Sequence, residues 1–234
     1  MLKDGSITAV SAAPSSARRR CQVSVSGELI LDVDSYTEGI WVTELLVAEG
    51  EFKPLRSTFY PAVLNVNDGV DGCRTPEGFR EGSMVPGANV LAGKLKWPSE
   101  PDNILVIQSS GDMRGHVTAP LVEQLQAYGG RKIVEIFGEF HTMEDGLDND
   151  GGEDNADEES FAFVLVGRHG LGYGLGHQVA TRGETRLQIL VYDDSWADDR
   201  VLEGFFRRDC FATVDMLSLP TGELNPDEVQ VVEK

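Results

Sequence analysis

The chain of 234 residues holds 20 basic and 39 acidic residues, a net charge of −19. That balance argues against nucleic acid and anionic membrane surfaces, which need clustered positive charge. No apolar run approaches the ~20 residues that cross a bilayer. A hydrophobic share of 41% with 25% charged residues is ordinary for a globular protein and enough for one large domain with a buried core.

The charge is unevenly spread, because nine acids and no bases lie between Glu144 and Glu159. Cys21, Cys73 and Cys210 are widely spaced, with no CxxC and no metal-ligand pattern. One disulfide with a free thiol and three reduced thiols fit equally.

In chain order, residues 1–20 read as a flexible Ser/Ala-rich tail, with a targeting remnant as the alternative. From Cys21, Val23 and Val25 alternate with Ser24 and Ser26, and Leu29–Val33 follows Gly27. Ile40–Ala48, a turn at Glu49-Gly50-Glu51 and Phe52–Tyr60 continue what reads as one antiparallel meander. Residues 61–83 are rich in Gly and Pro and predict a long surface loop. Pro86–Trp97 predicts a short helix with Val90, Leu91 and Leu95 inward.

Asn103–Gln108 is almost wholly apolar and predicts a central strand buried on both faces. A helix is expected from Ala119, with Thr118 as N-cap and Leu121, Val122, Leu125 and Tyr128 on one stripe. Gly129-Gly130 would stop it. Lys132–Phe137 then predicts another strand, giving an α/β-like strand–helix–strand unit. Beyond an acidic insertion at 141–160, Phe161–Val166 and Arg186–Tyr192 predict strands, and residues 200–217 hold two further apolar runs. The domain would span residues 21–217, followed by a polar tail over 218–234.

Four segments in this order resemble the interleukin-like EMT-inducer or PANDER-like domain. SGELILDVDSYTEGIWVTELLVAEGEFKPLRSTFY is similar to the family's opening strands, and NILVIQSSGD to its central strand. LQAYGG is similar to the family's helix end, and FAFVLVGRHG to its W-[AV]-F-V-G-x-K-G strand. The likeness covers about residues 22–195. Such domains occur in secreted cytokine-like proteins, in the stem of protein O-mannose N-acetylglucosaminyltransferase and in cell-surface hyaluronan-processing proteins. The resemblance implies an α+β fold of two packed, mainly antiparallel β-sheets flanked by short helices, a PANDER-like β-sandwich. It also implies the secretory route, although the chain shows no signal peptide and no N-x-[ST] sequon.

Departures from the family pattern bear on function. Glu158 and Glu159 stand where the stem domain has its sugar-binding Arg-Asp pair, and Phe161 replaces the Trp. Phe59-Tyr60 lacks the family's Asp, while Asp112 keeps the acidic position after the central strand. Replacing a bidentate cationic donor by an acid removes that sugar contact.

Other constellations read more simply as structure. Asp145, Asp148, Asp150, Glu153 and Asp154 have spacings that calcium loops use, but the EF-hand pattern is not met, and a solvated, self-repelling insertion accounts for them. Gly170, Gly172, Gly174 and Gly176 match neither phosphate-loop spacing. His116, His141, His169 and His177 form no HExxH. Ser195 has no nucleophile-elbow sequence, and Asp193, Asp198 and Glu203 are acids in an acid-rich chain. Trp41 and Trp97 are expected in the core, leaving Tyr173 and Trp196 as binding aromatics.

The expectation is a non-catalytic binding domain without cofactor or metal, lectin-like or protein-interacting. Its site would join Asp112, Phe161, Arg168, His169 and Tyr173. Partners would be a carbohydrate or a protein, with a basic partner for the acidic loop and no nucleic acid or membrane insertion. The alternatives are an accessory subunit of a larger assembly and a hydrolase or transferase with an unrecognised site.

Overall fold

The computed structural model describes residues 5–12, 20–34, 37–48, 51–65, 84–111, 116–131, 133–135, 161–182, 184–191 and 211–215. Among these described residues, twelve strands and two helices follow in order: β1 (Gly5–Ala12), β2 (Arg20–Val25), β3 (Glu28–Asp34), β4 (Gly39–Ala48), β5 (Glu51–Pro61), β6 (Val63–Asn65), β7 (Met84–Pro86), α1 (Gly87–Lys96), β8 (Ile104–Ser110), α2 (Ala119–Ala127), β9 (Phe161–Gly167), β10 (His177–Arg182), β11 (Glu184–Val191) and β12 (Phe211–Asp215). Two five-stranded sheets have the orders β12-β11-β1-β2-β3 and β10-β9-β8-β4-β5, and β6 pairs with β7. Every strand pair is antiparallel. The fold class is therefore α+β with two antiparallel sheets and short helices.

The layering follows from the strand alternation. On β8, Ile104 and Val106 face the other sheet, where they pack with Ile7, Ala9, Val23 and Leu187. Leu105 and Ile107 face the opposite way and pack with Leu91, Leu95, Leu121, Leu125 and Tyr128 of the helices. All seven β8 residues are buried, as a strand covered on both faces requires. The order of layers is helices, the β8 sheet, the β1 sheet.

A β-bulge between Glu44 and Leu45 leaves Leu55 without a partner on β4. It flips the faces of β5: Phe52 packs between the sheets, whereas Tyr60, an even number of residues later, packs under the helices. The same flip aligns Arg56 with Glu44 across the pair.

The helix α2 ends in a Schellman motif. Gly130 N–H donates to Leu125 O at 2.8 Å and Gly129 N–H to Gln126 O at 3.0 Å, with Gly129 at φ +95°. Thr118 is at the N-cap in extended conformation, but its hydroxyl makes no capping bond.

Several expectations are corrected. Gly5–Ala12, read as flexible tail, is the middle strand of its sheet, with Ile7 and Ala9 fully buried. The meander is divided, because β2–β3 belongs to one sheet and β4–β5 to the other. The strand expected at Lys132–Phe137 is helical at residues 133–135, where Glu135 N–H donates to Arg131 O at 2.8 Å. No α/β unit forms around α2, since β9 returns antiparallel to β8. Within the long loop, residues 63–65 are a strand. The strand β10, in a stretch read as glycine-rich loop and its sequel, pairs with β9 from His177 to Arg182. Residues 141–160, Cys73, Cys210, Ser195, Trp196 and the tail 218–234 lie outside the described residues.

Candidate functional site

At one end of the β8 sheet, α1 stops at Lys96 and the segment Trp97–Asn103 leads into β8. Between this segment, β4 and the end of α2 lies a small, open cleft with a cavity volume of about 30 Å³. Val42, Leu91, Leu95 and Leu105 give it apolar walls, and Glu44, Lys94, Ser99, Glu100, Asn103 and Tyr128 its polar groups. Glu44 is fixed there by Arg56, whose Nε and Nη2 donate to the two carboxylate oxygens at 3.0 and 2.8 Å.

Tyr128 joins the cleft to the neighbouring loop. Its hydroxyl donates to Leu95 O at 3.2 Å, and His169 packs edge-on against its ring with centroids 5.7 Å apart. Burial, reinforced by the Glu44 charge, pushes its phenol well above the usual range, so it stays a neutral donor. A Cβ on Gly167 would collide with the Tyr128 carbonyl, so glycine permits this close approach.

Two aromatic side chains at this end of the sheet are exposed, although neither lines the cleft itself. Trp97, the C-cap of α1, is 78% exposed, and Lys96 Nζ lies 5.9 Å from its ring centre. Sequence reasoning placed Trp97 in the core; two positions past the inward Leu95, it falls on the side of the helix away from the buried stripe. Trp41, also expected in the core, is half-buried, packed against Phe59 and the inter-sheet layer. Tyr173 and Leu175 in the 168–176 loop are 47% and 50% exposed. Tyr173 donates to Glu135 Oε1 at 3.2 Å, the same oxygen that Arg131 Nε reaches at 3.0 Å. The hydrogen bond from Arg131, helped by the one from Tyr173, holds the Glu135 carboxyl below the usual carboxylate range.

The expected site residues do not converge. Arg168, His169 and Tyr173 belong to the loop after β9, at the cleft end. Phe161 begins β9 and pairs in register with Arg182. Seven residues of extended chain separate Phe161 from Arg168, roughly 20 Å. Asp112 lies outside the described residues.

Sequence reasoning missed Trp97, Glu44, Lys94, Glu100 and Asn103. They come from two stretches, β4 and residues 94–103, which the pairing of β4 with β8 brings together. Among the described residues no group of three or more His, Cys, Asp or Glu side chains is placed to hold a metal ion. Among the same residues, no helix is long and apolar enough to cross a membrane. Neither a protein-family model nor a curated protein matches the chain.

Proposed function

We propose that the chain is a non-catalytic binding domain of the PANDER-like kind, that its ligand is a carbohydrate, and that the Trp97 end of the sandwich is the binding surface. The observation that carries this reading is an indole left 78% exposed at a helix end beside a cleft lined by both apolar and polar groups. A flat aromatic face suits the apolar face of a sugar ring. Ser99, Glu100, Asn103 and Lys94 beside it offer hydroxyl-matching donors and acceptors. Glu44 spends both carboxylate oxygens on one guanidinium, an arrangement suited to a fixed wall rather than to proton transfer.

The test is a glycan array of the whole chain and its Trp97→Ala variant, in calcium and in chelator. Binding of a defined glycan class by the wild type, lost in the variant, is expected. A blank wild-type array in both buffers overturns the carbohydrate reading. A protein surface as ligand is the second reading, favoured by Tyr173 and Leu175, which extend the exposed apolar area onto the next loop.

A further inference from the structure

We infer that Arg168 is the anchor for an anionic group on the ligand, and that the sugar recognised here carries a single carboxylate. The inference rests on the carbohydrate reading above and names its ligand class. The Arg168 side chain is only 25% exposed, and its Nε is buried without a hydrogen-bond partner. Among the described residues its ion pair joins Nη1 to Asp102 Oδ1 at 3.8 Å, beyond hydrogen-bond range, and Asp102 itself is 80% exposed. The other arginines near this end are held differently. Arg56 meets Glu44 at 2.8 Å and Arg131 meets Glu135 at 3.0 Å. Arg168 alone of the three is mostly withdrawn from water while its planar fork lacks a close acceptor.

Its place in the fold gives that fork a use. Asp102 belongs to the Trp97–Asn103 segment whose Ser99, Glu100 and Asn103 line the cleft, and His169, the next residue, packs on Tyr128 of the same cleft. A ligand in the cleft with a carboxylate at its border would offer two parallel acceptors to the guanidinium, the geometry that arginine binds best. Overall charge decides the class further. A chain at −19 repels polyanions at distances beyond direct contact, so a sulfated polymer meets a barrier that a sugar with one carboxylate largely escapes.

The experiment titrates the full chain with methyl glucuronide and methyl glucoside, followed by ligand-observed NMR, alongside array glycans matched with and without a terminal carboxylated sugar. The acidic member of each pair should bind about tenfold more tightly. Arg168→Gln should bring it down to the level of the neutral sugar, and Arg168→Lys should keep part of the difference. Asp102→Asn, which removes the loosely placed competitor, should tighten the acidic sugar and leave the neutral one unchanged. Melting temperatures of all variants verify folding. Equal binding of both sugars, untouched by Arg168→Gln, overturns the inference and leaves the carbohydrate reading intact. An Arg168-dependent preference for sulfated over carboxylated sugars overturns the carboxylate assignment. No binding of any sugar overturns both.

Discussion

The two ends of the β8–β9 pair differ in the side chains they leave exposed. At the Phe161 end, Ser110 Oγ donates to Thr37 O at 2.8 Å, Ala62 N–H to Glu38 O at 2.8 Å, and Phe163 N–H to Ser109 Oγ at 2.9 Å. His116 Nε2 is 2.9 Å from Glu38 Oε2. Most polar groups there are satisfied by one another, although among the described residues the fully buried Gln108 side chain on β8 has neither its Oε1 nor its Nε2 bonded. At the Trp97 end, the indole, Tyr173 and Leu175 face solvent, and Arg168 is only loosely paired. Buried polar groups normally find partners inside the protein. The Trp97 end thus exposes rings beside one loosely paired arginine, the groups on which the proposed ligand would act.

The largest expected effect tests how the second end is built. Gly167→Ala sets a methyl group against the Tyr128 carbonyl, a backbone atom that cannot rotate away. The variant should lose roughly 2–3 kcal/mol, the cost of overpacking a tight contact. A urea midpoint that falls at unchanged slope would show this. An unchanged midpoint would mean that the loop does not rest on α2.

Next in size is Tyr128→Phe. Losing the bond to Leu95 O should cost about 1 kcal/mol at neutral pH. The phenol is raised above its ordinary value of about 10, so the unfolded chain releases this proton first as pH rises. The folded state then holds more protons, and stability falls above pH 10 by up to about 1.4 kcal/mol per pH unit for this group. Below pH 10 the contribution is fully present. The wild type should therefore weaken more steeply than Tyr128→Phe between about pH 10 and 11, and parallel curves would show that the ring is less buried than the cleft requires. At the Phe161 end, His116→Ala should cost only about 0.5 kcal/mol, because its pair with Glu38 is partly exposed.

How much of this was legible depends on what each residue's neighbours are. The two-faced burial of β8 could be read from Asn103–Gln108, since a strand covered on both sides must be apolar at every position. The Gly129 stop of α2 was legible because the Schellman motif is local. The strand β1 was not, because its inward positions are Ile7, Ala9 and Ser11, and the last two are too small to register as apolar alternation. Ser11 sits there because its Oγ lies 2.9 Å from Ser109 Oγ across the sheets, a contact between residues 98 apart in sequence. The helical turn at residues 133–135 was obscured by β-branched residues, although Arg131 and Glu135 at i,i+4 were a readable signal. The site was the least legible part. Arg168, His169 and Tyr173 share one loop, but that this loop and the Trp97–Asn103 segment lie at one end follows from the antiparallel pairing of β9 with β8, which no local pattern shows.

The smallest effect on folding carries the sharpest contrast between the ends. Trp97→Ala removes a side chain that is 78% exposed and contributes little to the core, so stability should change by no more than about 0.5 kcal/mol. Binding should respond strongly, because an aromatic anchor at the mouth of a cleft gives contact area at little entropic cost. Differential scanning fluorimetry separates the two effects: a ligand that binds only the folded state raises the melting temperature of the wild type and leaves that of the variant where it was. If Trp97→Ala instead unfolds the chain, the indole is a structural element and the open end is closed by it. If the variant is stable and still shifts with ligand, recognition belongs to the Tyr173 loop, and the Trp97 rim is only its neighbour.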